Sequence, residues 1–213
     1  MTARFRSLTL ALLLSSPLLV TAAGAQANDP WAVLQGVRQS LAEAGPTEAS
    51  FTQIYIPAGF SSGERENGRL SLALPDCLRW DYREPYPKSF LLCGAVAHQW
   101  NPEDQTGRRF RVDRKNEPGL DLLLLGLEDL KARYGAMAKR TGNGQVEIAL
   151  TPRGKVAELT DALLTIDPAS QHLVGLSYHD REGNLTRFEI AQYRTLPRQG
   201  QFSPPPGIRW DEQ

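Results

Sequence analysis

Residues 68–94, GRLSLALPDCLRWDYREPYPKSFLLCG, decide the fold, because they read as three consecutive strands with their turns between them. Three leucines alternate with other residues in the first strand, which is the period of a strand with one apolar face. The second strand continues this alternation with Leu78, Trp80 and Tyr82. A Pro-Asp pair and the two prolines of EPYP interrupt the pattern, since proline cannot donate a ladder hydrogen bond. The stretch therefore predicts an antiparallel meander.

Two cysteines define an expected register for the second hairpin of this meander. Cys77 and Cys93 lie symmetrically about Pro85. The register that pairs the cysteines also pairs Trp80 with Phe90 and places both rings on one face. We expect a disulfide between Cys77 and Cys93 in an exported protein, and two buried thiols are the alternative.

The N-terminus is typical of a secretory signal peptide. Two arginines precede an apolar run at residues 8–20, and the small residues Ala25-Gln26-Ala27 follow it. The run is too short and too interrupted to favour a membrane span. We expect a signal peptide at residues 1–27, cleaved after Ala27 or at the competing Ala25. Residues 28–213 then form a soluble product with a single domain.

The charge balance and the motif search exclude several classes of function. Without the two leader arginines the chain carries 22 basic and 24 acidic residues, so no basic field is available for nucleic acid or anionic headgroups. The three histidines, His98, His172 and His179, are not at metal-ligand spacing with one another or with a cysteine. No nucleophile elbow, phosphate-binding glycine loop or dinucleotide fingerprint occurs. We therefore expect no catalytic site, no metal and no cofactor.

The pattern outside the meander predicts a helix before it and further strands on both sides. Asp29-Pro30 supplies an N-cap and a first-turn proline, and apolar residues recur at helical spacing up to Gly45. Residues 57–67 are predicted as a loop, and the proline-rich residues 202–208 as an extended closing segment. Short runs separated by turn residues predict seven further strands, at residues 47–56, 95–100, 108–113, 145–151, 159–167, 172–180 and 185–193.

A leucine-dense run at residues 120–130 separates the two groups of strands. Its helical pattern continues to Met137, and leucines occupy both sides of it, which is more than one helix face needs. We expect Gly126 to divide the run into two short helices. Antiparallel strands with segregated helices indicate an α+β, mostly β fold in which a curved sheet carries the helices on one side. Helices on the concave face would enclose a cavity.

Two features of this arrangement have alternative interpretations. The aromatic face formed by Trp80, Tyr82 and Phe90 is either ordinary sheet core or a surface available to an apolar ligand. The leucine run is likewise either a core helix or a mobile lid. Arg79 lies opposite Trp80 in a regular strand and is then solvated, but a bulge near Pro75 would turn it towards the lid.

Several short motifs, taken in order, resemble the family of periplasmic outer-membrane lipoprotein carriers, LolA. They are Ser50-Phe51-Thr52-Gln53, Gly68-Arg69-Leu70, Arg79-Trp80, Leu150-Thr151-Pro152 and the ending with Pro205-Pro206-Gly207. The resemblance implies an incomplete β-barrel of curved antiparallel sheet, with an N-terminal helix and a helical lid covering an apolar cavity. It also implies a periplasmic protein that takes lipoprotein acyl chains from an inner-membrane release complex and delivers them to an outer-membrane receptor.

The expected site follows from the pattern and the resemblance together. The lipid-binding cavity is expected to comprise Phe51, Leu70, Leu72, Leu78, Trp80, Tyr82, Phe90, Leu120, Leu123, Leu124 and Leu127. Well-studied members of the family carry a lid-bonding arginine before the proline that matches Pro75, whereas this chain has Leu74, so Leu74 and Arg79 are the possible lid contacts. We expect a monomer. A related carrier or sensor for another lipid, such as a glycolipid or a pigment precursor, is the alternative function.

Overall fold

The structure is a computed structural model that describes residues 29–113, 119–154, 158–197 and 201–212. The expected signal peptide at residues 1–27 lies outside these ranges. The division of the chain at Ala27 therefore stays a prediction.

Helix α1, Pro30–Ala44, has the ends that its sequence predicts. The Asp29 carboxylate accepts a hydrogen bond from the Trp31 backbone nitrogen at 2.9 Å, which satisfies one of the free N–H groups of the first turn. Proline in the first turn loses no helical hydrogen bond. Gly45 ends the helix with φ of 73°, a conformation that other residues rarely adopt.

The described residues form one sheet of twelve strands, which has an open edge at each side. The spatial order is β12-β6-β5-β4-β3-β2-β1-β11-β10-β9-β8-β7, and all neighbours are antiparallel except β12 and β6, which are parallel. The sheet is curved and does not close into a barrel. The strands are β1 Thr47–Ile56, β2 Glu64–Ala73, β3 Cys77–Glu84, β4 Lys88–Cys93, β5 Val96–Asn101, β6 Thr106–Arg111, β7 Tyr134–Arg140, β8 Val146–Pro152, β9 Leu159–Asp167, β10 His172–Asp180, β11 Leu185–Thr195 and β12 Arg209–Glu212.

The predicted meander and its register are confirmed. Strands β2, β3 and β4 follow one another, Cys77 pairs with Cys93, and Trp80 pairs with Phe90. The Cys77 and Cys93 sulfurs form a disulfide, with the two Cα atoms 4.3 Å apart. The symmetric placement of the two cysteines about Pro85 therefore predicted the register correctly.

Gly126 divides the leucine run as expected. Helix α2 is Leu120–Leu124 and helix α3 is Leu127–Arg133, with Gly126 at the N-cap of α3. The predicted helical pattern is wrong beyond Arg133, because β7 begins at Tyr134 and pairs along its whole length with β8. We call α2 and α3 together the lid.

One loop prediction is wrong, and one strand was not predicted. Residues 64–67, predicted as loop, begin β2 and pair with β1 through Tyr55 and Glu64. Residues 209–212 form β12, although their polar composition gives no strand signal. Trp210 of β12 packs against Trp100, with ring centroids 6.3 Å apart. Both segments are strands because each pairs with a neighbouring strand. The local sequence does not encode that pairing.

The core lies on one face of the sheet, which we call the inner face and which carries α1, α2 and α3. Helix α1 buries Leu34, Val37 and Leu41 against it. The opposite, outer face carries the disulfide and a smaller buried group that includes Leu91 and Trp100.

Candidate functional site

A cavity of about 290 Å³ lies on the inner face, bordered by the lid. Its size is at the lower end of the range for small-molecule sites, about 300 to 1,000 Å³. We call it the main cavity. Its lining combines aromatic, aliphatic and polar side chains: Gln53, Trp80, Tyr82, Lys88, Ser89, Phe90, Gln99, Gly119, Leu123, Leu176, Tyr178 and Phe188.

The aromatic wall of the main cavity is assembled by strand register. Trp80 pairs with Phe90 across β3 and β4, and Phe188 of β11 pairs with Leu176 of β10. The Trp80 ring lies 6.2 Å from the Phe90 ring and 6.3 Å from the Phe188 ring, between centroids. Aromatic rings at these separations stabilise one another, so the wall is preformed.

A second cavity of about 50 Å³ lies between α1, the lid and the sheet. We call it the small cavity. Its lining is mostly aliphatic: Leu34, Val37, Arg38, Leu41, Leu70, Leu72, Leu74, Leu122, Leu123, Leu130, Leu164, Ile166, Leu173 and Tyr193. Leu123 lines both cavities, so this one leucine of the lid borders the two spaces.

The lid is held mainly by buried leucines. Leu122, Leu124 and Leu125 of α2 and its following turn are buried, and Leu130 of α3 is 1% exposed. Arg38 of α1 contributes a polar contact, because its Nη2 donates to the backbone oxygen of Leu122 at 3.4 Å. Sequence reasoning missed Arg38, since an arginine on an amphipathic helix is ordinarily solvated and only the tertiary packing places it beneath the lid.

One end of the main cavity is polar, and we call it the polar end. Its lining residues are Gln53, Tyr82, Lys88 and Gln99, and Glu66 contacts Lys88 without lining the cavity. The Tyr82 hydroxyl donates to Gln53 Oε1 at 2.7 Å, and Lys88 Nζ lies 2.6 Å from Glu66 Oε1. Burial raises the pKa of Tyr82 well above its ordinary value, and the negative charge of Glu66 raises it further. The Tyr82 hydroxyl therefore stays protonated and remains a donor.

The structure divides the predicted cavity residues among three environments. Trp80, Tyr82, Phe90 and Leu123 line the main cavity, whereas Leu70 and Leu72 line the small cavity. Phe51 lines neither cavity and packs edge-on against Tyr82, with ring centroids 5.0 Å apart.

Three further predicted residues, Leu78, Leu124 and Leu127, line neither cavity. Leu78 is 0% exposed and Leu124 is 3% exposed, so both are core residues. Leu127 is partly buried against the same core. Leu120 begins α2, but its side chain lies outside the described residues.

The two possible lid contacts have different positions. Leu74 lines the small cavity, together with lid residues Leu122 and Leu123. Arg79 does not contact the lid: it lies on the outer face, where Nε pairs with Asp81 Oδ2 at 2.8 Å and Nη1 donates to the Gln201 backbone oxygen at 3.0 Å. Strand β3 pairs regularly at Arg79, so no bulge turns this side chain towards the lid.

Two properties of the described ranges bear on the class of protein. No helix in residues 29–113, 119–154, 158–197 and 201–212 is long and apolar enough to span a membrane. In the same ranges, no three His, Cys, Asp or Glu side chains lie together in a way that would hold a metal ion.

The curved, open antiparallel sheet with helices on its inner face defines a protein of the incomplete-β-barrel class. The chain belongs to the LolA family, since residues 43–203 match the family described as "Outer membrane lipoprotein carrier protein LolA".

Individual relatives are distant. An outer-membrane lipoprotein carrier protein of Proteus mirabilis (strain HI4320) is 22% identical over 84% of this chain and 88% of its own length. The corresponding protein of Methylobacillus flagellatus is 21% identical over 79% of this chain and 83% of its own length. Among solved structures, an uncharacterized conserved protein from Thermus thermophilus matches with a TM-score of 0.56 at 9% identity, covering 85% of this chain and 97% of that one. This last likeness supports the fold alone.

Proposed function

We propose that this protein is a periplasmic carrier that shields the acyl chains of lipoproteins in its cavity and delivers them from the inner to the outer membrane. The observation that carries the proposal is the main cavity, whose wall of Trp80, Phe90 and Phe188 is bordered by Leu123 of the lid. Membership of the LolA family and the names of its relatives support the same cargo.

The physical need for such a carrier is the cost of exposing acyl chains to water. Each CH₂ group that leaves water contributes about 0.8 kcal/mol, so a bare lipoprotein does not cross an aqueous compartment in soluble form. Apolar contacts are non-directional and can be exchanged one for another. A cavity held by such contacts binds the chains and still allows their release.

The lid accounts for how a cavity of about 290 Å³ admits a larger cargo. Leu123 borders the main and small cavities. In the proposal, an entering acyl chain replaces the leucine contacts of α2, moves Leu123 aside and joins the two spaces. The energy of the displaced leucine contacts is recovered in contacts with the cargo.

The partners follow from this function. An inner-membrane lipoprotein release complex loads the carrier, and an outer-membrane lipoprotein receptor unloads it. The carrier acts as a monomer and binds no nucleic acid. It performs no chemistry on its cargo and therefore requires no catalytic residue.

The test is release of an acylated lipoprotein from inner-membrane vesicles by the purified protein, with the soluble complex detected by gel filtration. Phe90→Glu places a charge on the cavity wall, where desolvation against an acyl chain costs several kcal/mol, and should abolish complex formation. Tyr86→Glu is the matched control, since Tyr86 is 75% exposed and lies in the turn before β4. Release by neither wild type nor control, or equal release by Phe90→Glu, would overturn the proposal.

A further inference from the structure

The outer face of the sheet carries a groove of about 510 Å³ that the proposed function does not use. We call it the outer groove. It crosses β3, β2, β1, β11 and β10, and its polar lining includes Ser50, Thr52, Asn67, Arg69, Arg83 and Glu189. Ser50, Thr52 and Arg69 belong to two of the motifs noted in the sequence, whose alternate residues Gln53 and Leu70 line the inner cavities. The cavities therefore account for only part of each motif.

Register shifts in three strand pairs border the outer groove. One lies between Glu48 and Ser50 in β1, one between Asn67 and Gly68 in β2, and one near the start of β10. A register shift bends and twists a strand locally, and such irregularities recur next to functional sites. The depression in this face therefore follows from the backbone and not only from the side chains.

The outer groove has an excess of positive charge. Arg69 Nη1 and Arg194 Nη2 each lie 2.6 Å from Oε1 of Glu48, whose side chain is 10% exposed. One enclosed carboxylate thus compensates two guanidinium groups. Arg83 is exposed and has no hydrogen bond or ion pair among the described residues. Of the described residues that line the groove, Glu189 alone carries a carboxylate.

Two further arginines extend this basic surface. Arg65 of β2 and Arg187 of β11 are exposed and lie directly opposite Ile54 of β1, one on each side of it. The nearby Glu84 carboxylate accepts a hydrogen bond from Asn67 Nδ2 at 3.0 Å. The basic and acidic totals of the whole chain are equal, so only the folded structure shows that positive charge collects on this face.

The length of the outer groove favours an extended chain as its occupant. Neighbouring strands are about 4.8 Å apart, so five strands span about 19 Å, which accommodates about six residues of extended polypeptide. Arginine forms paired hydrogen bonds with carboxylates, and the side chains of Thr52 and Gln192 offer both donors and acceptors to a peptide backbone. A single anionic headgroup would fill only one end of the groove.

We propose that the outer groove binds an extended acidic segment of a partner protein. Carboxylates of the segment pair with Arg83 and Arg69, and its backbone amides bond to Thr52 and Gln192. The end of the segment that lies at Glu189 carries no negative charge. Because the groove and the main cavity lie on opposite faces of the sheet, the partner docks without occupying the cavity. This inference goes beyond the proposed function and does not rest on it.

The proposal is tested with a hexaglutamate peptide that carries an uncharged fluorescent label. Fluorescence anisotropy measures its binding to the purified protein without cargo, and hexaglutamine with the same label is the matched neutral peptide. We expect hexaglutamate to bind about ten-fold tighter than hexaglutamine. Its affinity should fall about ten-fold when the salt concentration rises from about 0.05 M to about 0.5 M, since exposed charges are screened.

Single substitutions locate the binding site on the outer face. Arg83→Gln should weaken hexaglutamate binding about five-fold, because it removes an exposed guanidinium from the groove. Glu189→Gln should strengthen it about two-fold, because it removes the like charge. Arg140→Gln is the matched control, since it removes one exposed arginine of β7 that does not line the groove.

Three results would overturn the proposal. Equal binding of the two peptides would show that the carboxylates are not recognised. Equal loss of affinity in Arg83→Gln and Arg140→Gln would show that the attraction follows net charge alone. Arg83-dependent binding of phosphatidylglycerol vesicles, with no binding of hexaglutamate, would assign the groove to an anionic lipid surface. Circular dichroism melting shows that each variant compared is folded.

Discussion

Arg38 of α1 donates a hydrogen bond from Nη2 to the backbone oxygen of Leu122 in α2, at 3.4 Å. Burial lowers the pKa of Arg38 below its ordinary value. The side chain lines the small cavity among leucines and is therefore poorly solvated, and within the described ranges its hydrogen bond to the lid is long. A charge in such a site loses hydration that a single hydrogen bond barely restores. Arg38 therefore holds the lid weakly, and the leucines provide most of the attachment.

The first prediction compares these two contributions to lid closure. Leu124→Ser removes the contacts of a leucine that is 3% exposed, worth about 1.5 to 3 kcal/mol. It should raise binding of a hydrophobic fluorescent probe to the cargo-free protein more than Arg38→Met does. Arg140→Met is the control, since Arg140 donates to Gly144 in the β7–β8 turn. A strong rise with Arg38→Met and none with Leu124→Ser would show that the arginine is the main latch.

The second prediction separates core from cavity among the predicted site residues. Leu78 is 0% exposed and lines neither cavity. Leu78→Ala should lower the free energy of unfolding by about 2 to 5 kcal/mol without changing cargo affinity in the folded fraction. Leu78→Glu should prevent folding, because it buries an unpaired charge. Urea titrations measure the first effect, and a folded, inactive Leu78→Glu protein would contradict the assignment to the core.

The third prediction concerns the disulfide of Cys77 and Cys93. It closes a loop with a sequence separation of 16 residues, for which the chain-entropy model gives about 3 kcal/mol. The double variant Cys77→Ser, Cys93→Ser should unfold at correspondingly lower urea concentration. Because the bridge lies on the outer face, cargo affinity should be unchanged. Two titratable thiols in the denatured, unreduced periplasmic protein would contradict the bridge itself.

The fourth prediction concerns the parallel pairing of β12 with β6. A Cβ atom at Gly107 would lie 2.6 Å from the Trp210 ring and 2.8 Å from the Gln99 backbone oxygen. Gly107→Ala should therefore displace β12, and hydrogen exchange of its amides should accelerate. Gly142→Ala is the control, since a Cβ there has no neighbour within 4 Å. Unchanged exchange in Gly107→Ala would mean that the backbone shifts without releasing the strand.

The fifth prediction is a pH dependence of stability that comes from His98. Partial burial lowers the pKa of His98 below its ordinary value, and the positive charge of Arg109 lowers it further. The unfolded chain therefore binds more protons than the folded protein, and stability rises with pH in this interval. The contribution of neutral His98 to the free energy of unfolding is complete above the ordinary histidine pKa of about 6.5. It is lost as pH falls through the lowered pKa of His98 in the folded state.

Melting temperatures of the wild type and His98→Gln across this pH range measure the effect. The wild type should lose more stability than the variant on acidification. Parallel curves for the two proteins would exclude His98 as the source.

The local sequence determined those parts of the fold that depend on nearest neighbours. Period-two alternation and turn prolines defined the β2–β3–β4 meander and the register of Cys77 with Cys93. An N-cap aspartate and a terminal glycine defined α1, and Gly126 divided the lid. Each of these signals acts within a few residues, since it reflects backbone conformations and hydrogen bonds that a short segment satisfies by itself.

The tertiary structure decided the features that depend on partners distant in sequence. Residues 64–67, 134–140 and 209–212 became strands because neighbouring strands offered them hydrogen bonds. Arg38 came beneath the lid only through the packing of α1 on α2. The polar end unites Gln53, Lys88 and Gln99 from separate strands. Period and composition show which face a side chain takes in its own strand, whereas the register and curvature of the whole sheet determine which side chains meet across a cavity.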